Sequence, residues 1–429
     1  MIIYILCYAA AFLFAKSGHN YLSGIGLLAA AVYLYYEDYK KSGSIIHLRG
    51  LFALSWVGGQ GIACLKLSRL SGEWSFMTWA CFFLAFAVFY AVFEFLSRYL
   101  GGLSLKGRRR KDFRGREQSV FFCACVITII SFGCFIIEAA ALGYVPLFLR
   151  GVPHAYSYFH LTGVHYFTVS CVLVPALSVI WFCFDSGRNR GKTGVMILMD
   201  VVSLAIPILC VSRFQLIMAV VLALITYILA DSRVRFSYVA GAVLALVPLY
   251  LILTVARSHN VAYLNGIFEM KNSSTPIFIT QPYMYVANNF ENFNCLVRDL
   301  TSHSLGLRMT APVWTFSGLK FFFPVLTDFP LYITKEELTT LTMFYDSYYD
   351  FGIIGVSLLS GILGAVSYFI MRMAAELRNP IGYLFYAQIA MYLMLSFFTT
   401  WFSNPTPWFY LGITLILAFI VDRKWGTVR

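Results

Sequence analysis

Four arginines and one histidine are suited by residue type to bind an anionic group. Arg213 opens one apolar run and Arg257 ends another, whereas Arg298 and Arg308 lie in the long connection that follows. A guanidinium presents a rigid fork of donors that matches phosphate, and it keeps its charge at physiological pH. His259, next to Arg257 in the chain, is able to bind phosphate or to transfer a proton near neutral pH. We therefore expect these five residues to form a phosphate or pyrophosphate site.

Three carboxylates in the same part of the chain are candidates for proton transfer. Glu291 is flanked by asparagines at 288, 289, 292 and 294, a polar setting that suits a sugar. Asp346 and Asp350 are four residues apart, so they share a face if this stretch is helical. A carboxylate is able to act as a base, or as a hydrogen-bond acceptor, for an attacking hydroxyl. Glu291, Asp346 and Asp350 are therefore the predicted catalytic residues.

Each of these residues also has a structural interpretation. An arginine at a membrane boundary extends to the interface along its apolar stem, or it pairs with a loop carboxylate. Asp350 is suited to cap a helix that begins near Phe351, and Glu291 to be a solvated loop acid. A lone loop histidine such as His259 is usually neither an acid or base nor a phosphate ligand.

The elements that must position these residues are apolar runs of membrane-spanning length. The chain has 429 residues, of which 60% are hydrophobic and 12% charged, against roughly a quarter charged in a soluble domain. Runs of about 20 apolar residues recur, the length with which an α-helix crosses a hydrocarbon core. We predict an all-α polytopic membrane protein of about 12 transmembrane helices, near 2–16, 21–36, 45–65, 74–97, 119–142, 161–184, 195–211, 214–230, 237–256, 350–371, 381–402 and 407–421.

The formal net charge of +12 is distributed mainly between these runs, with its largest cluster at 106–116. Positive residues favour the cytoplasmic side of a membrane, so the pattern indicates a topology with both termini cytoplasmic. The cluster contains a single aromatic residue, Phe113, and is flanked by membrane segments. A nucleic-acid partner is therefore not expected.

One outward connection is far longer than ordinary loops, and loops of that length are usually functional. It extends from about Arg257 to Phe344 and is rich in aromatic residues, which favours a folded, partly helical cap over a disordered tail. The predicted division is nine transmembrane helices in 1–256, a large outward loop in 257–345, and three transmembrane helices in 346–429.

The stretch 339–355, Thr-Thr-Leu-Thr-Met-Phe-Tyr-Asp-Ser-Tyr-Tyr-Asp-Phe-Gly-Ile-Ile-Gly, resembles the C-terminal signature of bacterial oligosaccharide repeat-unit polymerases, the Wzy-type O-antigen and capsule polymerases. Ser212-Arg213 at the start of a helix and Tyr283-Met284-Tyr285-Val286-Ala287-Asn288-Asn289 add to the resemblance, and the topology is similar over nearly the whole chain. One departure is that the Arg-then-Gly loop repeat of some members is not found at its usual spacing.

The resemblance implies a GT-C-like glycosyltransferase of the bacterial cytoplasmic (inner) membrane, with its active site facing the periplasm or exterior. Donor and acceptor would be undecaprenyl-pyrophosphate-linked oligosaccharides, and a chain-length regulator and a flippase would be further partners. Arginines stabilise a leaving pyrophosphate without a metal, so no metal and no cofactor are expected. The sugar rings would be held by aromatic side chains, Tyr283, Tyr285, Trp314, Tyr345 and Tyr349.

Two alternatives stay open. An O-antigen ligase shares this plan, and sequence separates it poorly from a polymerase. A lipid-linked oligosaccharide flippase or other transporter should carry charges in mid-membrane around a cavity. Here the helix interiors are nearly free of charge apart from Glu94, Glu138 and Asp200, which favours chemistry at the membrane surface.

Overall fold

The described part of the chain is built from helices. The computed structural model describes residues 1–101, 113, 115–149, 155–184, 189–231, 241 and 261–422, and these contain no β-strand, only an isolated bridge between Ser68 and Met270. Within these ranges, seven helices are long and apolar enough to cross a membrane. The prediction of an all-α membrane protein is confirmed, while the predicted helix 237–256 lies, apart from residue 241, outside the described residues.

In chain order the α-helices are α1 (Ile2–Lys16), α2 (Asn20–Ser42), α3 (Leu48–Phe52), α4 (Gly58–Cys64), α5 (Phe76–Leu100), α6 (Glu117–Leu142), α7 (Ala155–Tyr158), α8 (Val164–Thr168), α9 (Val174–Phe184), α10 (Arg190–Leu209), α11 (Arg213–Ala230), α12 (Val261–Phe268), α13 (Ile277–Asp299), α14 (Ala311–Phe316), α15 (Leu319–Phe322), α16 (Tyr345–Ala375), α17 (Ile381–Met394) and α18 (Pro405–Asp422). A π-helical turn, Ala53–Val57, joins α3 to α4, and a 3₁₀ turn, Val169–Leu173, joins α8 to α9. Two more 3₁₀ turns are Pro146–Phe148 and Pro324–Leu326.

Two helix ends differ clearly from the prediction. The apolar run of α2 stops near 36, but the helix continues through charged residues to Ser42 and ends where Gly43 adopts a φ of 69°. The prediction also extends α17 to 402, whereas it ends at Met394. Residues 395–404 form turns and irregular structure, and Asn404 is disfavoured from helical geometry because it directly precedes Pro405.

The described residues belong to two compact units. The first comprises 1–106, 260–375 and 392–408, and the second comprises 107–259, 376–391 and 409–429. The predicted outward loop thus shares a unit with the first five helices of the chain. In the first unit, Phe290 of α13 packs on Trp56 with ring centroids 5.3 Å apart, and a Cβ on Gly59 would lie 2.9 Å from the Phe290 ring.

Helices α5 and α16 of the first unit pack closely through small residues. A Cβ on Gly364 would lie 2.6 Å from the Phe89 carbonyl oxygen, and Ser360 Oγ donates a hydrogen bond to the Ala85 carbonyl. Small side chains let membrane helices approach at backbone distance. The membrane-length part of α16, beyond Gly352, is therefore fixed against α5.

The helix α16 is broken inside its first turns. Phe351 (φ −139°, ψ 17°) and Gly352 (φ 59°, ψ −144°) leave the helical conformation. A φ of this sign is accessible to glycine at little cost. Beyond the break the backbone of Gly355 approaches the Ser347 carbonyl so closely that a Cβ there would overlap it. The sequence Asp-Phe-Gly-Ile-Ile-Gly thus allows the chain to break and then resume as a membrane-length helix.

The second unit contains α6, α9, α10 and α11. Two acidic residues inside its membrane-length helices have local partners: Glu138 accepts from the Leu161 backbone N–H at 2.8 Å and lies 3.1 Å from His165 Nδ1. Asp200 accepts from Ser178 Oγ at 2.6 Å. A carboxylate in a membrane segment needs such partners because it has lost its hydration.

Gly355→Ala is expected to destabilise the protein by about 1–3 kcal/mol or more, because overpacking at a backbone contact forces the chain to shift. Gly361→Ala is the matched control in the same helix, since a Cβ there would lie 3.6 Å from Val88, an ordinary contact. Thermal unfolding of the purified proteins in detergent measures the difference. Equal melting temperatures for the two variants would contradict the close approach.

Candidate functional site

The first unit brings together two of the predicted residues, Arg308 and Asp346. Arg308 Nε donates to Asp346 Oδ1 at 2.6 Å, and Arg308 Nη2 lies 2.6 Å from the same oxygen. The side chains are 12% and 6% exposed. Arg308 lies between α13 and α14 and Asp346 in the first turn of α16, 38 residues later. This pair is a shielded but accessible cation and carboxylate at the start of a membrane-length helix.

Aromatic rings surround the Arg308 guanidinium. Its central carbon lies 4.5 Å from the centroid of the Tyr349 ring and 5.7 Å from those of Tyr345 and Phe329. Aromatic faces attract cations, more strongly where water is excluded. Two predicted sugar-binding residues, Tyr345 and Tyr349, therefore line the site, although Tyr345 is fully buried and bonds to the Tyr332 backbone, with its hydroxyl 3.0 Å from the Tyr332 carbonyl.

Ser403 completes the surroundings of Asp346. Its hydroxyl donates to Asp346 Oδ2, so the two carboxylate oxygens bind different donors. Ser403 follows α17 and precedes α18, far from Asp346 in the chain. The carboxylate is thereby held in one orientation toward Arg308.

Asp350 is fully buried and holds the segment that carries Arg308. Its Oδ2 accepts from the Met309 backbone N–H at 2.8 Å, and its Oδ1 accepts from the Arg308 backbone N–H at 3.2 Å and from the Ser304 hydroxyl. A helix does resume after the break at Phe351–Gly352, but the prediction that Asp350 caps it is wrong, because the carboxylate accepts its hydrogen bonds from 304–309. Its carboxylate instead binds donors 41 to 46 residues earlier. Asp350 positions Arg308.

Glu291 is buried in a separate place in the same unit. It accepts from Lys66 Nζ at 2.5 Å, from Trp74 Nε1 at 3.1 Å and from the Gly72 backbone N–H at 3.1 Å. Burial raises the pKa of the Glu291 carboxyl, whereas Lys66 acts in the opposite direction. The alternative of a solvated loop acid is wrong. The carboxylate holds the connection between α4 and α5 against α13.

Asparagines beside Glu291 form hydrogen bonds with backbone groups of other segments. Asn292 Nδ2 donates to the carbonyls of Leu338 and Thr340, at 2.8 and 2.9 Å, and Asn289 Nδ2 donates to the Phe397 carbonyl at 2.8 Å. Asn294 Oδ1 accepts from the Ser75 backbone N–H at 3.1 Å. Their side-chain amides form hydrogen bonds with backbone groups of neighbouring segments. These residues therefore fix those segments against α13.

The remaining predicted residues lie apart from the pair or outside the described part. Tyr283 accepts from the Leu67 backbone N–H at 2.8 Å, and Tyr285 packs near Phe398 with centroids 5.9 Å apart. Trp314 Nε1 donates to the Leu307 carbonyl at 3.1 Å, next to Arg308 in the chain. Arg298 is exposed and bonds to its neighbour Asp299 at 2.7 Å.

Three predicted phosphate-binding residues are not part of this cluster as described. Arg213 begins α11 in the second unit and is 6% exposed. Arg257 and His259 lie outside the described residues. The phosphate-binding prediction therefore rests, within the first unit, on Arg308.

Sequence reasoning missed the residues that hold the site in place: Ser304, Ser403, Phe329, Lys66 and Trp74. These side chains are of common types and lie far in sequence from the groups they bind, by up to 225 residues for Lys66 and Glu291. No spacing pattern points to them. Across the part of the chain that the structure describes, histidine, cysteine, aspartate and glutamate side chains form no group of three or more that could hold a metal ion.

Comparison of the chain with protein-family models, with curated proteins and with solved structures gave no match. The function is therefore inferred from the site itself.

Glu291→Gln is expected to destabilise the protein by about 3–5 kcal/mol, because it leaves the Lys66 ammonium buried without its counter-charge. Lys335→Ala is the control. It removes an ion pair to Glu269 whose side chains are 27% and 41% exposed, so its effect should stay within about 1 kcal/mol. Chemical denaturation of both variants measures this. Unchanged stability of the Glu291→Gln protein would contradict the structural role of the Glu291–Lys66 pair.

Asp350→Asn is expected to loosen the segment 304–309, because an amide offers one acceptor oxygen where the carboxylate uses two, at a cost of about 1–3 kcal/mol. Hydrogen exchange of the backbone amides of Arg308 and Met309 should speed up accordingly. Asp328→Asn, an exposed aspartate in the same connection, should leave the exchange unchanged. Identical protection in the two variants would argue against the role of Asp350 in positioning Arg308.

Proposed function

We propose that the chain is a membrane glycosyltransferase that polymerises undecaprenyl-pyrophosphate-linked oligosaccharide repeat units into O-antigen, capsule or a related surface polysaccharide. The observation that carries the proposal is the Arg308–Asp346 pair, a shielded cation and carboxylate at the start of α16. These are the two charges that glycosyl transfer from a pyrophosphate requires. The resemblance of 339–355 to Wzy-type polymerases supports the same reaction.

Arg308 is suited to the leaving group. When the bond between sugar C1 and the pyrophosphate oxygen breaks, negative charge develops on that oxygen, and a preorganised cation stabilises it. A guanidinium has five N–H donors, and the Asp346 contact occupies Nε and Nη2 on one edge of the fork. The face of Tyr349, 4.5 Å away, stabilises the charge from a second direction.

Asp346 is suited to receive the proton. In the reaction a new bond forms between sugar C1 and a hydroxyl oxygen of the acceptor, and the hydroxyl proton must go to a base. A pyrophosphate that binds Arg308 competes with Asp346 for the guanidinium. The carboxylate released from Arg308 then accepts the proton, while Ser403 keeps it in place. Binding of the donor and activation of the acceptor are coupled in this scheme through one ion pair.

An apolar groove next to the site supports a lipid-linked substrate. It has a volume of about 700 Å³ and lies between α5 and α16, lined by Leu84, Val88, Val92, Ile353, Ile354, Ser357, Leu358, Gly361, Ile362 and Ala365. It begins just after the break at Phe351–Gly352. The helical stretch from 353 to 365 extends about 18 Å, because it contains twelve rises of about 1.5 Å each. A polyprenyl chain placed there would leave its pyrophosphate at the end of the groove nearest Arg308.

The proposal includes a topology and a location. About 12 transmembrane helices in a GT-C-like arrangement would place both termini in the cytoplasm and the Arg308–Asp346 pair at the outer face of the bacterial inner membrane. The growing glycan would then be extended outside the cell. Undecaprenyl-pyrophosphate-linked donor and acceptor would arrive by way of a flippase, and a chain-length regulator would act on the product.

The test is to incubate the purified protein with a lipid-pyrophosphate repeat unit from the organism that encodes it and to resolve the products by size. A ladder of lengthened glycan is expected. Arg308→Ala should lower the rate of elongation about 10²–10³-fold, the usual loss when one preorganised donor is removed.

Arg98→Ala is the matched control, because Arg98 also pairs with a carboxylate, at 3.1 Å from Glu94, but at the far end of α5. Its ladder should equal that of the wild type. Wild-type chain lengths from Arg308→Ala would overturn the role of the pair. If no ladder forms and the same repeat unit crosses a liposome membrane, the protein is a flippase.

A further inference from the structure

The segment 311–327, next to the candidate site, is unusually apolar for a connection between helices. Its sequence is Ala-Pro-Val-Trp-Thr-Phe-Ser-Gly-Leu-Lys-Phe-Phe-Phe-Pro-Val-Leu-Thr, and Lys320 is its one charged residue. The segment does not form one continuous helix: α14 has six residues and α15 has four. Helices this short cannot cross a bilayer, and short apolar helices are typical of interfacial or re-entrant segments.

The structure leaves the apolar side chains of this segment uncovered. The three consecutive phenylalanines Phe321, Phe322 and Phe323 are 61%, 78% and 56% exposed, and Val325 is 70% exposed. Phe321 and Phe322 lie at the end of α15, which follows Gly318 with its φ of 74°, and Phe323 comes directly after it. Val325 lies in the 3₁₀ turn Pro324–Leu326. Contiguous apolar patches on a protein surface mark contact with another protein or with a membrane.

The chain just ahead of the segment packs on a helix of membrane-spanning length, α16. A Cβ on Gly306 would lie 3.3 Å from the Phe351 ring, so the chain ahead of α14 rests on the break in α16. One turn further along α16, Ile354 is 65% exposed on a membrane-length helix. The segment thus follows a part of the chain that packs on α16 within one turn of an exposed apolar side chain.

The position of Lys320 fits a membrane boundary. Its ammonium lies 5.2 Å from the centroid of the Phe321 ring. A lysine at the interface buries its stem along apolar surface and extends its charge to the headgroups, where anionic phosphates attract it. The nearest acid on the C-terminal side, Asp328, comes directly after the apolar stretch has ended, and Glu336 and Glu337 come later.

We infer that the segment 311–327 lies in the outer part of the lipid bilayer, with Phe321, Phe322 and Phe323 among the acyl chains and Lys320 at the headgroups. The predicted cap of the long connection is therefore partly a membrane anchor. Phe329, just after the segment, is 5.7 Å from the Arg308 guanidinium. The anchor thus holds the Arg308–Asp346 pair at the level of lipid phosphates, which, under the proposed function, is the level of the lipid pyrophosphate.

Site-specific photocrosslinking tests this inference on the full chain. The photoreactive amino acid p-benzoylphenylalanine is placed at position 322, at 354 as the lipid-facing reference, or at 337 as the polar reference in the same connection. Each protein is reconstituted in vesicles of phosphatidylethanolamine and phosphatidylglycerol with tritiated acyl chains, without substrate, and irradiated. The amount of lipid adduct formed at position 322 should approach the amount formed at 354. Position 337 should form no lipid adduct.

Absence of lipid adduct at 322, with adduct present at 354, would overturn the inference. So would a crosslink from 322 to a second protein copy in place of lipid. Because the measurement needs neither sugar nor pyrophosphate, it is independent of the polymerase assay, and either proposal can fail without the other.

Discussion

The break in α16 is the constraint on which the candidate site depends. Backbone groups freed by a broken membrane helix need new partners, because lipid supplies none. At this break the segment 303–305 provides them: the Ser304 and Leu305 backbone N–H groups donate to the carbonyls of Tyr349 and Asp350, at 3.3 and 3.2 Å. The Asp350 carboxylate then accepts hydrogen bonds from the backbone N–H groups of Arg308 and Met309. Arg308 is therefore placed by the same interactions that make the break possible, and Gly352 and Gly355 matter because they permit it.

Helix α13 provides the second support, and it does so with polar residues. A helix so rich in asparagine and so deeply buried is stable only if each amide has partners, since an unsatisfied buried polar group costs about 1–3 kcal/mol. Here the partners are backbone groups of the surrounding connections, among them Leu338, Thr340 and Phe397. The polarity that makes this run look like a sugar-binding surface serves to fix the segments on either side of the site. Glu291 and Lys66 belong to the same framework.

The sequence predicts the helices well and the site only in part. Apolar runs determine where a helix crosses a membrane, so α5, α6 and α11 lie where expected. The i, i+4 spacing of Asp346 and Asp350 correctly indicates a shared turn, but their partners Arg308, Ser304 and Ser403 are set by tertiary packing, which leaves no local pattern. The break in α16 cannot be predicted from the sequence either. Gly352 permits it, but the surrounding apolar pattern is that of a continuous helix, and only the packing of 303–309 favours the broken form.

The choice of arginine at 308 follows from its surroundings. A guanidinium is planar and weakly hydrated, so it stacks on Tyr349 while its edge binds a carboxylate, which a lysine ammonium cannot do in one geometry. Asp346 neutralises the charge in the absence of substrate and so reduces the cost of shielding it from water. Asp346 also makes anion binding more demanding, because an anion must compete for the Arg308 guanidinium with a carboxylate that Ser403 already orients. A singly charged group gains little from that exchange, whereas a pyrophosphate, with several negative oxygens to share among the remaining donors, gains more. The ion pair would in this way select for the substrate of the proposed reaction over the monoanionic groups of ordinary lipids.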